Sequence, residues 1–158
     1  MKTRSRPSIT TPRAKITLSA EQIIADYRLA VRSRAASELG RREVLAGRAP
    51  FGIFGDGKEV AQLALAHVMR PGDWRSGYYR DQTVMMAVGT TSLEQYFAQL
   101  YADADVARDP FSGGRQMSNH YATRILDEHG HWRDLLRSVQ SASDFSPVAA
   151  HMPRSVGL

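Results

Sequence analysis

The first helix is predicted by the spacing of apolar residues after residue 19. Ile23 and Tyr27 open a series of apolar residues at four-residue intervals, while most arginines of this stretch fall on other faces. Ser19 and Gln22 form a capping-box pattern, in which each side chain can bond a free backbone N–H group. The pattern predicts an amphipathic helix that begins after Ser19 and stops at Gly40.

A second helix is expected over residues 58–69, where apolar residues cover nearly every face. Such a helix should be buried on all sides. A short helix is expected over residues 82–88, ended by Gly89, and another after Ser92, which opens a second capping box. Residues 74–81 show no long period and are interpreted as an extended or loop segment.

The last third of the chain has weaker signals. Residues 123–144 show no regular period apart from a turn at residues 127–130. Ser146 and Pro147 place a capping residue before a proline, which predicts that a last helix begins there. No stop signal follows, so we expect an incomplete piece cut within a helix. The predicted fold class in this chain is therefore mostly α.

Composition narrows the class of protein. The 158 residues, 42% of them hydrophobic, suffice for one globular domain. No apolar run approaches the ~20 residues that a membrane span needs, so no membrane partner is expected. Cysteine is absent, which excludes disulfides and cysteine nucleophiles and fits a reducing compartment.

The net charge of +5 is concentrated at the start of the chain. Residues 1–15 contain five basic and no acidic residues, and the remainder contains 16 of each. We therefore predict a basic, flexible tail over residues 1–18 and a neutral body over residues 19–158. No nucleic-acid partner is expected, although a basic nucleic-acid-binding protein stays open as an alternative.

Four residues are candidates for chemistry. Tyr79 and Arg80 could hold a phosphate through a hydroxyl and a forked guanidinium. His120 could exchange a proton near neutral pH, and Ser146 could present a helix N-terminus to an anion. Each also has an ordinary structural explanation, namely a surface ion pair, a structural histidine or a helix cap.

Three motifs in register carry a family resemblance. They are Gly-Tyr-Tyr-Arg-Asp at residues 77–81, Gly-Arg-Gln-Met-Ser-Asn-His-Tyr at residues 114–121 and Ser-Pro-Val-Ala-Ala at residues 146–150. Together they resemble the alpha part of thiamine diphosphate-dependent 2-oxo acid dehydrogenases, especially branched-chain types and single-chain forms with fused alpha and beta parts. The resemblance implies the N-terminal portion of an α/β cofactor-binding fold, truncated before most of the parallel sheet.

The resemblance also implies site roles. Tyr79 and Arg80 match the pair that contacts the cofactor diphosphate, and Ser146 matches a residue at the cofactor's edge. The backbone at Val148 matches the position that faces the aminopyrimidine ring. His120 matches a loop near the active-site entrance and is the candidate catalytic residue.

The implied activity is oxidative decarboxylation of a 2-oxo acid with acyl transfer to lipoamide. The implied partners are a beta part, which supplies an activating glutamate, and a lipoyl-bearing acyltransferase. Magnesium is expected in the full-length enzyme. In the family, the Gly-Asp-Gly motif that holds magnesium follows the Ser-Pro motif. The Gly-Asp-Gly at residues 55–57 of this sequence precedes the Ser-Pro motif. We therefore interpret residues 55–57 as a loop and assign no metal ligand.

These features predict a cytoplasmic bacterial enzyme piece that is inactive alone, with an organelle matrix as the alternative location. A different class of function also stays open. The apolar helix predicted over residues 58–69 needs a covering surface, as a non-catalytic interaction or assembly module would.

Overall fold

The computed structural model describes residues 17–157, which form five helices and two strands. In chain order these are α1 (Ala20–Leu45), α2 (Glu59–Ala66), β1 (Trp74–Arg75), α3 (Gln82–Ala87), α4 (Leu93–Leu100), β2 (Gln140–Ser141) and α5 (His151–Gly157). The predicted, mostly helical class is confirmed. The predicted tail falls, up to residue 16, outside the described residues. Between residues 17 and 157 no helix is long and apolar enough to cross a bilayer.

The start of α1 is as predicted, and its end is not. The capping box at Ser19 is present: the Gln22 backbone N–H donates to the Ser19 hydroxyl, and the Ser19 backbone N–H donates to the Gln22 side-chain oxygen. The helix runs through Gly40 to Leu45. A Cβ at Gly40 would lie 2.6 Å from Phe54 Cε1. The glycine therefore serves the close approach of Phe54 rather than a helix stop.

The apolar stripe predicted for α1 does not face the interior. Tyr27 is 70% exposed, and Ile23 and Val31 are also exposed. The face that packs against the other helices carries mainly small residues and one acid: Ser33, Ala36, Ser37, Gly40 and Glu43. Small side chains let α1 approach α2 and α3 closely. The four-residue spacing of larger apolar residues predicted a different buried face of α1.

The prediction of an all-round buried second helix is wrong. The helix is shorter than predicted, and its buried residues are Glu59, Gln62 and Leu63. Val60 on its outer face is 79% exposed. Gln62 is buried because its amide oxygen accepts bonds from the Thr83 and Val84 backbone N–H groups in the first turn of α3, at 3.0 and 3.1 Å. Backbone satisfaction rather than apolarity decides which face of α2 is covered.

A buried glutamine joins four segments at the centre of the helices. The Gln82 amide nitrogen donates to the Ser33 carbonyl (3.0 Å) and to the Ser37 hydroxyl (2.8 Å) of α1. Its amide oxygen accepts from the Gly55 backbone N–H and from the Asn119 side chain, both at 3.2 Å. Since every polar atom of Gln82 is paired, it can be fully buried without an unsatisfied group.

The two strands form a parallel pair in which Trp74 lies beside Gln140 and Arg75 beside Ser141. The extended or loop segment predicted over residues 74–81 contains β1. The second strand lies within residues 123–144 and was not predicted, because two residues are too few to show an alternating pattern. Val84 and Met85 of α3 form a buried apolar cluster with Tyr121.

The shorter predicted features are confirmed. Gly89 follows α3 with a φ of +75°, and Ser92 caps α4 through a capping box with Gln95. The turn at residues 127–130 is closed by a bond from the Gly130 N–H to the Asp127 carbonyl at 3.2 Å.

The prediction that the last helix begins at Pro147 is wrong. Ala149 takes a φ of +65°, which interrupts helical geometry, and α5 begins at His151. The Ser146 hydroxyl bonds His120 instead of capping a helix. None of the residues 151–157 of α5 is buried.

Candidate functional site

The backbone around His120 is fixed from two sides. Gln99 of α4 donates to the His120 carbonyl at 2.6 Å and accepts from the His120 backbone N–H at 3.3 Å. The preceding Asn119 has a φ of +63° and donates to the Ile53 carbonyl at 2.6 Å. An asparagine tolerates this conformation better than most residues. The imidazole therefore projects from a rigid, buried loop.

The hydrogen bonds of the His120 ring define its tautomer. Nδ1 lies 3.1 Å from both the Met117 and Ser118 carbonyl oxygens, which can only accept. In the neutral ring Nδ1 therefore carries the proton, and Nε2 is the acceptor. Ser146 Oγ lies 2.9 Å from Nε2 and donates to it. Two candidates that are 26 residues apart in sequence are thus directly bonded.

Two tyrosines lie against this pair. The Tyr79 ring stacks on the His120 ring, with centroids 6.1 Å apart and planes 20° apart. The Tyr78 hydroxyl donates to the Tyr79 hydroxyl, and this bond raises the pKa of Tyr78. The Tyr79 hydroxyl proton is therefore free to be donated elsewhere. We call Tyr78, Tyr79, His120 and Ser146 the hydroxyl cluster.

Arg80 extends the hydroxyl cluster towards solvent. Its backbone is anchored, because the Gln62 amide donates to the Arg80 carbonyl at 2.8 Å. Its guanidinium carbon lies 5.8 Å from the Tyr79 ring centroid, and the residue is exposed. Within residues 17–157 this guanidinium forms no ion pair. An exposed cation beside a free hydroxyl donor suits an anionic ligand.

Val148 does not join the hydroxyl cluster. It lies in the turn between Ser146 and α5, where the Ala150 N–H donates to the Pro147 carbonyl, and its side chain is 79% exposed. The structure therefore brings together Tyr79, Arg80, His120 and Ser146, whereas Val148 lies at the edge of this group.

A buried ionic group next to the hydroxyl cluster was missed by the sequence analysis. Its members are Arg75, Asp81, Asp144 and Arg154, and we call them the Asp144 cluster. Arg75 donates to Asp144 Oδ2 at 3.1 Å and to Asp81 Oδ2 at 2.9 Å. Burial raises the pKa of Asp144, and the positive charge of Arg75 opposes this rise.

The signal for this cluster was weak but present. Asp144 is the only acidic residue in residues 135–158 and comes two residues before Ser146. Arg75 directly follows Trp74 in a segment without periodicity, where an arginine is expected on the surface. It is 6% exposed instead, because β1 turns its side chain towards Asp144.

The Gly-Asp-Gly segment is a loop, as predicted. Asp56 forms an ion pair with Arg41 at 2.8 Å, and Gly57 has a φ of +90°. Within the part of the chain from residue 17 to residue 157, no group of three His, Asp or Glu side chains is arranged to hold a metal ion.

Comparison with known proteins gives the family of this chain. Residues 27–133 match the family described as dehydrogenase E1 component. This match covers more than half of the sequence, and the chain therefore belongs to that family, which confirms the resemblance drawn from the three motifs.

A curated relative covers more of the chain. It is the 2-oxoisovalerate dehydrogenase subunit alpha of Bacillus subtilis (strain 168), which is 28% identical over 142 residues. The aligned part is 89% of this chain and 38% of the relative. The chain thus spans well under half of that relative's length.

Proposed function

We propose that this chain is the alpha-part region of a thiamine diphosphate-dependent 2-oxo acid dehydrogenase, with residues 19–158 forming part of the cofactor-binding domain. The proposed substrate is a branched-chain 2-oxo acid, and the proposed acyl acceptor is lipoamide on a partner acyltransferase. The single observation that supports this most strongly is the His120–Ser146 bond beside Tyr79, since it unites residues from all three family motifs. Family membership supports the reaction class.

The donor set fits a diphosphate. Arg80 offers an exposed guanidinium that no other described side chain neutralises, and Tyr79 has a hydroxyl proton to donate. Both are hard, charge-compatible donors for phosphate oxygens. In the proposed complex these two residues hold the diphosphate, Ser146 lies at the cofactor's edge and the Val148 backbone faces its aminopyrimidine ring.

His120 and Ser146 provide a site for one proton. Nε2 is the acceptor atom of the buried imidazole, because Nδ1 carries the proton that faces two carbonyl oxygens. A proton that arrives at Nε2 reverses the direction of the bond to Ser146 Oγ, so the serine changes from donor to acceptor. His120 is the proposed catalytic residue, and the Ser146 hydroxyl orients its ring.

The bound cofactor would supply a nucleophilic carbon that adds to the 2-oxo carbon, and a thiazolium ring that takes up the electron pair left by the departing carbon dioxide. The residues described here orient and neutralise the diphosphate end. We propose that the magnesium ligands and the activating glutamate lie outside these residues, the glutamate on a beta part, and that this stretch alone has no turnover. We also propose a cytoplasmic location.

The test is a titration of thiamine diphosphate with Mg²⁺ into the full-length polypeptide that carries this chain, together with its beta part. Arg80→Ala is expected to weaken cofactor binding about 10- to 100-fold, because a hydrogen bond to a charged group contributes about 1.5–3 kcal/mol. Binding is followed by quenching of tryptophan fluorescence, and decarboxylation by release of carbon dioxide.

The matched control is Arg70→Ala, which removes another exposed arginine outside the hydroxyl cluster and should leave the affinity unchanged. Equal affinities of the Arg80→Ala and Arg70→Ala proteins would overturn the assignment of Arg80. Failure of the wild-type protein to bind the cofactor would overturn the proposed function as a whole.

A second candidate function has one observation in its favour. An open apolar groove on the outer face of α1 and α2 is lined by Tyr27, Val31 and Val60, all of them exposed. A surface of this kind is typical of an assembly contact. Residues 19–158 would then serve as a non-catalytic interaction module, which sedimentation of a Val60→Asp variant tests: an unchanged assembly state would exclude this groove as the contact.

A further inference from the structure

We propose that Arg154 is a positioning residue, which attaches α5 to the segment before Ser146 and to the loop before Tyr78, and so maintains the Ser146–His120 hydrogen bond. The consequence for the cofactor rests on the proposed function, whereas the consequence for His120 does not.

The first contact of Arg154 is with the two residues that precede Ser146. Its guanidinium carbon lies 4.9 Å from the centroid of the Phe145 ring, a cation–π distance. Its NH2 atom lies 3.9 Å from Asp144 Oδ1, and the other carboxylate oxygen, Oδ2, is bonded to Arg75. One carboxylate is therefore shared by two arginines, one from β1 and one from α5.

The second contact of Arg154 is with the loop that leads to the tyrosines. Arg154 Nε donates to Ser76 Oγ at 3.2 Å, and the same hydroxyl donates to the His151 carbonyl at 2.9 Å. The His151 ring lies 5.4 Å from the Tyr78 ring, centroid to centroid. The arginine thus connects the two segments that supply the hydroxyl cluster, one through Phe145 and one through Ser76.

Packing alone does not hold α5 in place. None of its residues from 151 to 157 is buried, and Met152 and Val156 are exposed on its surface. The attachment of α5 within the described part of the chain therefore depends on polar contacts, which are the bond from Ser76 to the His151 carbonyl and those of its polar side chains. Arg154 is the one with contacts to both neighbouring segments, and its side chain is only 16% exposed.

The Ser146 hydroxyl is sensitive to this attachment. Asp144 and Phe145 directly precede Ser146, and the Asp144 backbone N–H donates to the Tyr121 carbonyl at 3.0 Å, next to His120. A displacement of Phe145 would move Ser146 Oγ away from His120 Nε2. Hydrogen bonds weaken steeply outside their normal geometry, so a small displacement suffices to lose the bond.

The test measures the hydrogen bond at His120 Nε2 by long-range ¹H–¹⁵N NMR of the histidine-labelled full-length polypeptide with its beta part, with assignment through a His120→Gln variant. In the wild type we expect the Nδ1-protonated ring with a hydrogen-bonded Nε2. In Arg154→Met the Nδ1 proton should stay in place, because the Met117 and Ser118 carbonyls still accept it. The ¹⁵N shift of Nε2 should change to that of a nitrogen without the Ser146 bond, and thiamine diphosphate should bind about tenfold more weakly, equivalent to about one hydrogen bond.

Two further variants and one control keep the test sharp. Arg154→Lys keeps the charge beside Asp144 and is expected to retain the hydrogen bond at His120 Nε2, which a general loss of α5 would not allow. Phe145→Leu removes the ring under the guanidinium and is expected to act like Arg154→Met, even if Arg154→Met fails to fold. Arg137→Met, the same change at an exposed arginine paired with Asp134, should behave as the wild type.

The outcomes separate the two proposals. Wild-type His120 signals in Arg154→Met and in Phe145→Leu would overturn the role of Arg154. Loss of the Nε2 hydrogen bond in a protein whose wild type does not bind thiamine diphosphate would support the positioning role and reject the proposed function. Weaker cofactor binding with the Nε2 hydrogen bond intact would also overturn the positioning role, because Arg154 would then act by another route.

Discussion

The two arginines that flank Asp144 lie in very different surroundings. All three nitrogens of Arg75 are bonded: Nε to Asp81, NH1 to Ser141 and Asp144, and NH2 to the Tyr78 carbonyl and both carboxylates. On the other side, the NH1 and NH2 atoms of Arg154 are buried without a hydrogen-bond partner in the described residues, as is Asp144 Oδ1.

The two arginines are therefore expected to differ in their contribution to folding stability. A buried charge whose hydrogen bonds are all formed makes its surroundings rigid. Its removal leaves the partner groups buried and unpaired, which is costly. A buried charge with unmade bonds contributes little net stability, because desolvation offsets its attraction. We therefore interpret the contacts of Arg75 as a main source of folding stability, and those of Arg154 as contacts that position α5 while contributing little net stability.

The largest effect is expected from Arg75→Met. The change leaves Asp144 buried opposite no bonded cation, so the free energy of unfolding should fall by about 3–5 kcal/mol. Urea unfolding of the protein, followed by tryptophan fluorescence, measures this loss. Arg154→Met is the matched variant and should stay within about 1 kcal/mol of the wild type. Equal losses in the two variants would contradict the distinction between the regions.

A smaller loss is expected when a fully bonded neutral group is removed. Gln82→Leu leaves the Gly55 backbone N–H without its partner and withdraws the donor from Ser33 and Ser37. Unsatisfied buried groups cost about 1–3 kcal/mol, so we expect a loss of about 2–3 kcal/mol in the same unfolding experiment. The control is Gln116→Leu, an exposed glutamine. If both variants unfold alike, complete bonding is not what stabilises the helical centre.

The smallest effect concerns an ion pair at the edge of the helical region and depends on pH. The Arg34 guanidinium, 2.8 Å from Glu59, lowers the pKa of Glu59 from 4.5 to about 2. Because the folded pKa is depressed, the stabilisation is complete above about pH 4.5 and is lost as the pH falls towards 2. Arg34 is partly exposed, so less than about 1 kcal/mol is expected.

Comparison of wild type and Glu59→Gln between pH 5 and pH 2 measures this contribution. The advantage of the wild type should shrink as the pH falls and should be weaker at high salt. In an Arg34→Met background the pH-dependent difference should be smaller, and only the part due to the backbone N–H bonds that Glu59 accepts, including those from Gly57, should remain. A wild-type advantage that grows on acidification would mean that the sign of the shift is wrong.

Local signals in the sequence correctly predicted where α1 and α4 begin. Both capping boxes, at Ser19 and Ser92, depend on residues three apart, and tertiary contacts do not alter them. The same reasoning failed at Gly40 and at Pro147, where a more distant group decides. Gly40 accommodates Phe54, and the Ser146 hydroxyl next to Pro147 is bonded to His120.

The candidate site was found in sequence through its motifs and not through its chemistry. Tyr79, Arg80, His120 and Ser146 were each ambiguous alone, and the structure brings them together. The Asp144 cluster was missed because its members lie as far apart as residues 75 and 154. No window of sequence contains such a contact, and a single arginine carries no sign of burial.

The sequence by itself determined the family, the mostly helical class and the identity of the reactive groups, because motifs, caps and side-chain chemistry are local properties. Only the tertiary structure decided which face of α1 is covered, where α5 begins and which ring nitrogen of His120 acts as the acceptor. These features depend on the pairing of buried polar groups from distant segments. That pairing is a property of the folded chain, since each buried donor or acceptor must find its partner wherever the fold places one.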